Sequence, residues 1–491
     1  MCGLAGIAEA HQTELVKRML STITHRGPDG DGLHQSAGHT LGHVRLSIID
    51  LEGGVQPMAD PESDSWIVFN GEIYNHQKLR RRLGKRRFRT NSDTEVILQL
   101  HREEAGRQAE QLDGMFAFAI ANDDLTLARD PLGIKPLYLG RHQGKLVFAS
   151  EIKAVLAVSE VIAEFPPGYS YSEKTGWRRY YQLSAGPAEV TDADAAAQGI
   201  RIRLEEAVRK RLLADVPVGV FLSGGLDSSL IAAFARRHKD PLDSFFVGTE
   251  DSPDRAYAEA AAAFLGTKHH TRSYSIAEAI EALPAVIYHL ESFDCALVRS
   301  ALPNYFLAEL AAERVKVALS GEGADELFAG YEYLKALPKA RLQEELVGIT
   351  EALHNTNLQR CDRMSMAHGL EVRVPFLDLA LVEYAFRISA DLKLPPTNTT
   401  EKWILRKAAQ DALPESIVWR KKAKFAAGSG LGDHLLRFAE EQISDADFVR
   451  DREIADGVEL RSKEELLYYR IFRQLFPAEK LLPLIGRSRS I

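Results

Sequence analysis

The chain has 491 residues, 45% apolar and 26% charged, enough for two to four domains of about 100–200 residues, each with its own core. A formal charge of −8 and a pI of about 6.1 argue against bulk attraction to nucleic acid or anionic membrane. Three cysteines, Cys2, Cys295 and Cys361, cannot staple so long a chain, so a reducing compartment is expected. No run of about eighteen apolar residues is present to span a membrane, and Met-Cys-Gly-Leu-Ala-Gly-Ile is not expected to be a signal peptide. The expectation is a soluble, cytoplasmic, multidomain protein.

Residues 1–185 carry short runs of strand character at Trp66–Phe69, Phe116–Ile120, Leu137–Leu139 and Leu146–Ala149, each bounded by Gly, Asn, Asp or Pro. Between them, Lys78 to Arg89 holds eight basic residues in twelve positions, interleaved only by Phe88 among aromatics. It reads as a solvated helix face and turn, with a contact to RNA or an acidic partner as the alternative. Ser184–Ala197 is small and polar without a steady period, and reads as a linker. From about Ile200 helical patterns alternate with buried parallel-strand runs at Val218–Leu222, Ser244–Val247 and Val315–Leu319, with helices such as Ala256–Leu265 between. That alternation predicts a doubly wound α/β domain.

Cys2 follows the initiator methionine directly. Once Met1 is removed, its α-amine, of pKa about 7.7–8.0, can act as general base for its own thiol. Arg45-Leu-Ser-Ile-Ile49 puts one arginine at the mouth of a strand-like run, suited to capture of a carboxylate. Asn70-Gly-Glu-Ile-Tyr-Asn75 offers a side-chain amide at Asn70 and a close backbone N–H at Gly71, the donors of an oxyanion hole. Asp93 is placed to pair with a substrate ammonium group. His25-Arg-Gly-Pro-Asp29 gathers turn formers and charge.

Farther on, a buried strand runs into Ser223-Gly-Gly-Leu-Asp-Ser-Ser229. Glycines there let backbone N–H groups approach an anion, a helix N-terminus adds its dipole, and Asp227 can hold Mg²⁺. No G-x-x-x-x-G-K-[ST] is present, so this is not a standard γ-phosphate loop. Val315–Leu319 leads likewise into Ser320-Gly-Glu-Gly-Ala-Asp-Glu326, whose glycines make an incomplete dinucleotide fingerprint. Two such strand ends on one parallel sheet make a nucleotide crevice.

Met-Cys-Gly, His-Arg-Gly-Pro-Asp, Arg-Leu-Ser-Ile and Asn-Gly-Glu-Ile-Tyr-Asn, in that order, resemble the class II glutamine amidotransferase domain. The Ser-Gly-Gly-Leu-Asp-Ser-Ser string resembles the pyrophosphate loop of N-type ATP pyrophosphatases, and Ser320–Glu326 the matching string of glutamine-dependent asparagine synthetases. Gly369–Asp378, Trp419–Phe425 and Ser462–Pro477 extend that likeness over nearly the whole chain. The resemblance implies an N-terminal-nucleophile αββα sandwich at 2–185, followed at 200–491 by a doubly wound parallel-sheet ATP pyrophosphatase domain with extra helices. It implies Cys2 as nucleophile, Asn70 and Gly71 as oxyanion hole, and Arg45, Leu46, Ser47, Ile48, Ile49, Glu72 and Asp93, with Asn70 and Gly71, around glutamine. For ATP it implies Leu222, Ser223, Gly224, Gly225, Asp227, Ser228, Ser229, Val247, Ser320, Gly321 and Lys422, with Glu322 serving the acyl-adenylate and Asp227 and Asp325 holding Mg²⁺.

One departure falls in Glu291–Arg299, where Ala296-Leu297 stand in place of the family's Thr-Thr. Asp294 and Arg299 remain to hold the acceptor. The implied activity makes asparagine from aspartate, glutamine and MgATP through β-aspartyl-AMP, with ammonia passing between domains. A related amidotransferase acting on another carboxylate is the alternative. Expected partners are these small molecules, with neither nucleic acid nor membrane, and a homodimer is the assembly considered.

Overall fold

The structure is a computed structural model that describes residues 2–489 apart from 85–87, 105, 396–399, 421–430 and 456. Two six-stranded antiparallel sheets build the first part. One has the spatial order Ile162–Glu164, Tyr138–His142, Lys145–Ala149, Gly3–Ile7, Thr40–Arg45, Gly30–Gln35. The other runs Gly176–Arg179, Tyr169–Ser172, Leu125–Arg129, Gly114–Ala121, Ser65–Ile73, Met58–Asp60.

Strand alternation sets the layers, because successive side chains point to opposite faces. Along Gly114–Ala121, Ala117, Ala119 and Ala121 pack between the sheets with Leu4, Val68 and Phe148. Phe116, Phe118 and Ile120 point outward onto helices His76–Leu83 and Thr94–Glu103. On the other sheet Ala5 and Ile7 meet Val16, Met19 and Leu20 of helix Thr13–Ser21. Helix, sheet, sheet, helix is the resulting αββα sandwich.

Three details depart from the sequence reading. Arg45 ends a strand instead of opening one, and the run after it is irregular. Leu46 and Ile48 are buried against Val218, Val317 and Met366 of the second domain, which explains their strand-like hydrophobicity. Within the basic run, Arg80 is not simply solvated: it donates to the carbonyls of Ser92 and Thr90 and lies over the Phe88 ring, while residues 85–87 are outside the described residues. The linker also gives way early, at helix Ala193–Arg211, where Asp192 caps the free N–H of Ala195 at 2.8 Å.

The second part has a parallel sheet in the order Lys268–Ser273, Asp243–Gly248, Val218–Phe221, Val317–Leu319, Glu371–Arg373. The chain works outward from Val218–Phe221 to one edge, then returns to its other side. Such a reversal leaves a crevice at the carboxyl ends of the two central strands. Those ends are Ser223 and Ser320.

A buried ion network joins the two parts. Arg26 is fully buried and pairs with Glu151 at 2.6 Å and with Asp362 at 2.8 Å, while its Nε donates to the Cys2 carbonyl at 3.0 Å. Lys153 reaches Glu291 at 3.1 Å, and Arg363 reaches Glu291 at 3.2 Å and Asp362 at 3.1 Å. Burial pushes the Asp362 carboxyl up, but Arg26, Lys135 and Arg363 outweigh it and hold Asp362 below its usual range. Removing one partner strands the others in a dry interior. Arg26→Met is therefore expected to lower stability by roughly 3–5 kcal/mol, read as a shift of the urea midpoint. A loss below about 1 kcal/mol, the scale of an exposed pair, would show that the network does not bind the domains.

Candidate active sites

Cys2 opens the strand Gly3–Ile7 in the middle of its sheet and is only 8% exposed. Its backbone N donates to Asn70 Oδ1 at 3.1 Å, and its Sγ lies 3.8 Å from the Leu46 carbonyl. Burial pushes the thiol up, and the positive chain terminus and Arg45 offset this only in part. The resting group is thus a thiol, and a nucleophile made from it needs a base.

Asn70 sits in strand Ser65–Ile73, in the facing sheet, fully buried. With Oδ1 taken by Cys2, its Nδ2 has no hydrogen-bond partner among the described residues. A buried amide donor left open beside a thiol is a site for developing negative charge. Gly71 follows it in the same strand, opposite Phe116.

The other expected glutamine contacts divide. Arg45 donates to the carbonyls of Leu51 at 2.9 Å and Asp50 at 2.8 Å, holding the loop beyond it. Ser47 donates its N–H to Asp29 at 2.7 Å, and Ile49 stays half-buried. Leu46 and Ile48 spend their side chains on the domain boundary; the Leu46 carbonyl lies 3.8 Å from Cys2 Sγ, and the Ile48 carbonyl accepts the Asp215 N–H at 3.0 Å. Glu72 lies 3.3 Å from Arg373 of the second domain. Burial lifts the Glu72 carboxyl well above its usual range against the pull of Arg373. Asp93 accepts the Ile73 N–H at 2.8 Å, and burial raises it too. Sequence reading did not foresee Arg373 here, because it lies about three hundred residues away in the chain.

The second centre is a cavity of about 460 Å³ at the sheet's carboxyl edge, within the size usual for ligand pockets. Leu222, Ser223, Gly225, Asp227, Ser228, Val247, Ser320, Gly321, Glu322 and Asp325 all line it. Gly224 lies beneath, at φ +69°, where a Cβ would come within 2.3 Å of the Tyr257 carbonyl carbon. Ser228 Oγ is 3.0 Å from Ser223 Oγ and accepts the Ser223 N–H at 3.1 Å, closing the loop onto helix Leu226–His238. Ser229 is fully buried behind it. Lys422 lies outside the described residues.

Several lining groups were not foreseen. Arg360 pairs with Glu322, Arg420 donates to the Gly224 carbonyl at 3.3 Å, and Lys402 reaches both Asp227 at 2.5 Å and Asp325 at 2.7 Å. Glu326 is buried beside Tyr331, and desolvation with Asp325 nearby pushes its carboxyl up to about 7. The Trp419–Phe425 run had drawn attention to Arg420, and the Ser320–Glu326 string to Glu326.

Asp294 is a correction. Its carboxylate is fully buried outside the cavity lining. It caps helix Cys295–Ala312 through the Leu297 N–H at 3.0 Å and takes the Ser488 N–H at 2.9 Å, Ser488 Oγ at 2.6 Å and Arg461 at 2.7 Å. That many donors leave it no place for an acceptor amine. Arg299 does line the cavity, in an ion pair with buried Glu464. Ala296, Leu297, Ser300, Arg487, Ser488 and Arg489 form the wall beside it.

Comparison with known proteins agrees with this division. Residues 1–174 match the glutamine amidotransferase domain family, and residues 199–351 and 338–487 match the asparagine synthase family. A probable glutamine-hydrolysing asparagine synthetase of Dictyostelium discoideum is 37% identical over 99% of this chain and 96% of its own length. Asparagine synthetase B of Escherichia coli (strain K12) is 40% identical over 97% of this chain and 92% of its own. Glutamine-hydrolysing asparagine synthetase 2 of Arabidopsis thaliana is 38% identical over 97% and 88%. With both family models matched in one chain and relatives 37–40% identical over 97–99% of it, this protein is a member of the glutamine-hydrolysing asparagine synthetase family.

Proposed function

We propose that this chain makes asparagine from aspartate, glutamine and ATP, releasing glutamate, AMP and PPi, with a glutaminase domain at 2–185 and a synthetase domain at 200–491. One observation carries the reading. Helix Asn357–Met366 touches both centres: Asp362 grips Arg26, which holds the Cys2 carbonyl, and Arg360 grips Glu322 in the cavity. Two half-reactions that share ammonia need such a physical joint.

In the first domain the Cys2 α-amine, free once Met1 is removed, takes the thiol proton as sulfur attacks the glutamine amide carbon. Asn70 Nδ2 and the Gly71 N–H receive the oxyanion, ammonia leaves, and water then cleaves the thioester. Arg45, whose guanidinium already fixes residues 50–51, is assigned the glutamine α-carboxylate. Asp93 and Glu72 face the α-amine, with the backbone of Leu46, Ser47, Ile48 and Ile49 along the substrate.

In the second domain Ser223, Gly224, Gly225, Ser228 and Ser229 form the cradle for PPi, joined by Lys422. Leu222, Val247, Ser320 and Gly321 flank the nucleoside. The aspartate β-carboxylate attacks the α-phosphorus and PPi leaves; ammonia then displaces AMP at the acyl carbon, with Glu322 serving that exchange. Arg299 supplies the positive charge for the acceptor.

Among the described residues no group of three or more His, Cys, Asp and Glu is placed to hold a metal. Asp227 and Asp325 nonetheless converge on a single ammonium, so they can share one cation. Two carboxylates, completed by substrate phosphates and water, suit Mg²⁺. When bound, Mg²⁺ neutralises phosphate charge. A cytoplasmic setting accords with three buried thiols and no disulfide among the described residues.

Cys2→Ala should abolish asparagine formation from glutamine and leave formation from ammonium salts near wild type. Equal loss of both in a folded variant would defeat the division of labour. Arg45→Ala should raise the glutamine KM by about 10- to 100-fold, as loss of charge-assisted hydrogen bonds does, with the ATP KM unmoved. An unchanged glutamine KM would remove Arg45 from that site. Finally, glutamine, MgATP and aspartate together should yield asparagine with equal AMP and PPi. Ala296 and Leu297 give the wall an apolar stretch that favours a second reading, a larger carboxylate acceptor. PPi release on such an acceptor, with none on aspartate, would replace the first reading.

A further inference from the structure

Lys402 is 3% exposed at the floor of the nucleotide cavity. Its ammonium lies 2.5 Å from Asp227 Oδ2 and 2.7 Å from Asp325 Oδ1. These carboxylates come from the two loops at the ends of the central strands, and each is about a quarter exposed to the cavity. The residue is held in place from behind. Its backbone is left-handed, at φ +57° and ψ +31°, a conformation that side-chain-bearing residues adopt only where the surroundings impose it. Its carbonyl accepts the Arg406 N–H at 2.9 Å, and Arg406 is in turn fixed to Glu401 and to the Val418 carbonyl.

Gly330 shows how closely this contact is fitted. A Cβ at that position would stand 1.8 Å from Asp325 Oδ1 and 2.3 Å from Lys402 Cε. Any larger residue would prise the ammonium and carboxylate apart. The arrangement thus combines a strained backbone, a matched glycine and a buried cation, all aimed at the two groups assigned above to Mg²⁺.

A cation at that point has two consequences. It offsets the mutual repulsion of Asp227 and Asp325, so the loops keep their separation without nucleotide. It also opposes entry of a second, divalent cation to the same oxygens. A lysine side chain has a flexible four-carbon stem and a strongly hydrated head, so it can swing to a phosphate oxygen when one arrives.

We propose that Lys402 is a resident placeholder for the divalent cation, which excludes free Mg²⁺ from the nucleotide-free enzyme and yields only to a cation already carried by the triphosphate. This rests on the assignment of Asp227 and Asp325 to the metal–nucleotide site. Metal and nucleotide then enter together, and the ammonium transfers from the carboxylates to the incoming phosphates.

The test measures Mn²⁺ binding to the full-length enzyme by electron paramagnetic resonance, with and without a non-cleavable α,β-methylene ATP. Wild type should take up free Mn²⁺ poorly and take up the Mn²⁺–nucleotide complex well. Lys402→Met should bind free Mn²⁺ at least about tenfold more tightly and the complex more weakly. Lys402→Arg keeps the charge and should leave free Mn²⁺ binding weak. Unaltered free Mn²⁺ affinity in Lys402→Met would overturn the proposal, provided Asp227→Asn still abolishes binding of the complex. Should Lys402→Met fail to fold, wild type alone decides: free Mn²⁺ bound as tightly as the nucleotide complex overturns the placeholder. If Asp227→Asn leaves binding of the complex intact, the metal-site assignment itself is wrong.

Discussion

The buried guanidinium of Arg26 is the constraint on which both centres depend. It holds the carbonyl of Cys2, closes on Glu151 of its own domain and on Asp362 of the other. Such a group is stable in a dry interior only when every donor finds an acceptor. Satisfying it forces Cys2, the Glu151 turn and helix Asn357–Met366 into one arrangement. The neighbouring His25 extends the same cluster, with its ring 3.2 Å from Glu151.

The glutaminase site is then a matter of what remains unsatisfied. The Cys2 backbone N occupies the oxygen of Asn70 and leaves its nitrogen open. Desolvation keeps the thiol protonated until a base acts. The Glu72 and Asp93 carboxyls are raised by burial, and Arg373 comes across from the synthetase domain to face Glu72. The site is thus completed by the domain it serves.

At the second centre the parallel sheet places two loops side by side, and charge does the rest. Lys402 draws Asp227 to Asp325, and Arg360 holds Glu322. The Glu291–Arg299 segment is built differently. Asp294 is absorbed into the junction of helix Cys295–Ala312 with the C-terminal segment, where Ser488 and Arg461 saturate it. Arg299 lines the cavity beside Arg487, Ser488 and Arg489, with Ala296 and Leu297 in the same wall.

Much of this was legible in the sequence because it is local. Ser223–Ser229 and Ser320–Asp325 are contiguous strings at strand ends, and their glycines, hydroxyls and acids pointed to the crevice that they line without reference to anything distant. Short apolar runs at Trp66–Phe69 and Phe116–Ile120, bounded by turn formers, marked the strands Ser65–Ile73 and Gly114–Ala121 for the same reason. What only the tertiary structure decided is everything that depends on partners far apart in the chain. Asp294 looked like a substrate ligand until Ser488 and Arg461 were found on it, and Leu46–Ile49 looked like a strand because a domain boundary buries side chains as a sheet does. Lys402 and Arg360 carry no motif, and Arg373 sits in the Gly369–Asp378 string without any sign of its partner; their roles come from which carboxylate the fold sets against each, and a buried charge takes its meaning from its counter-ion.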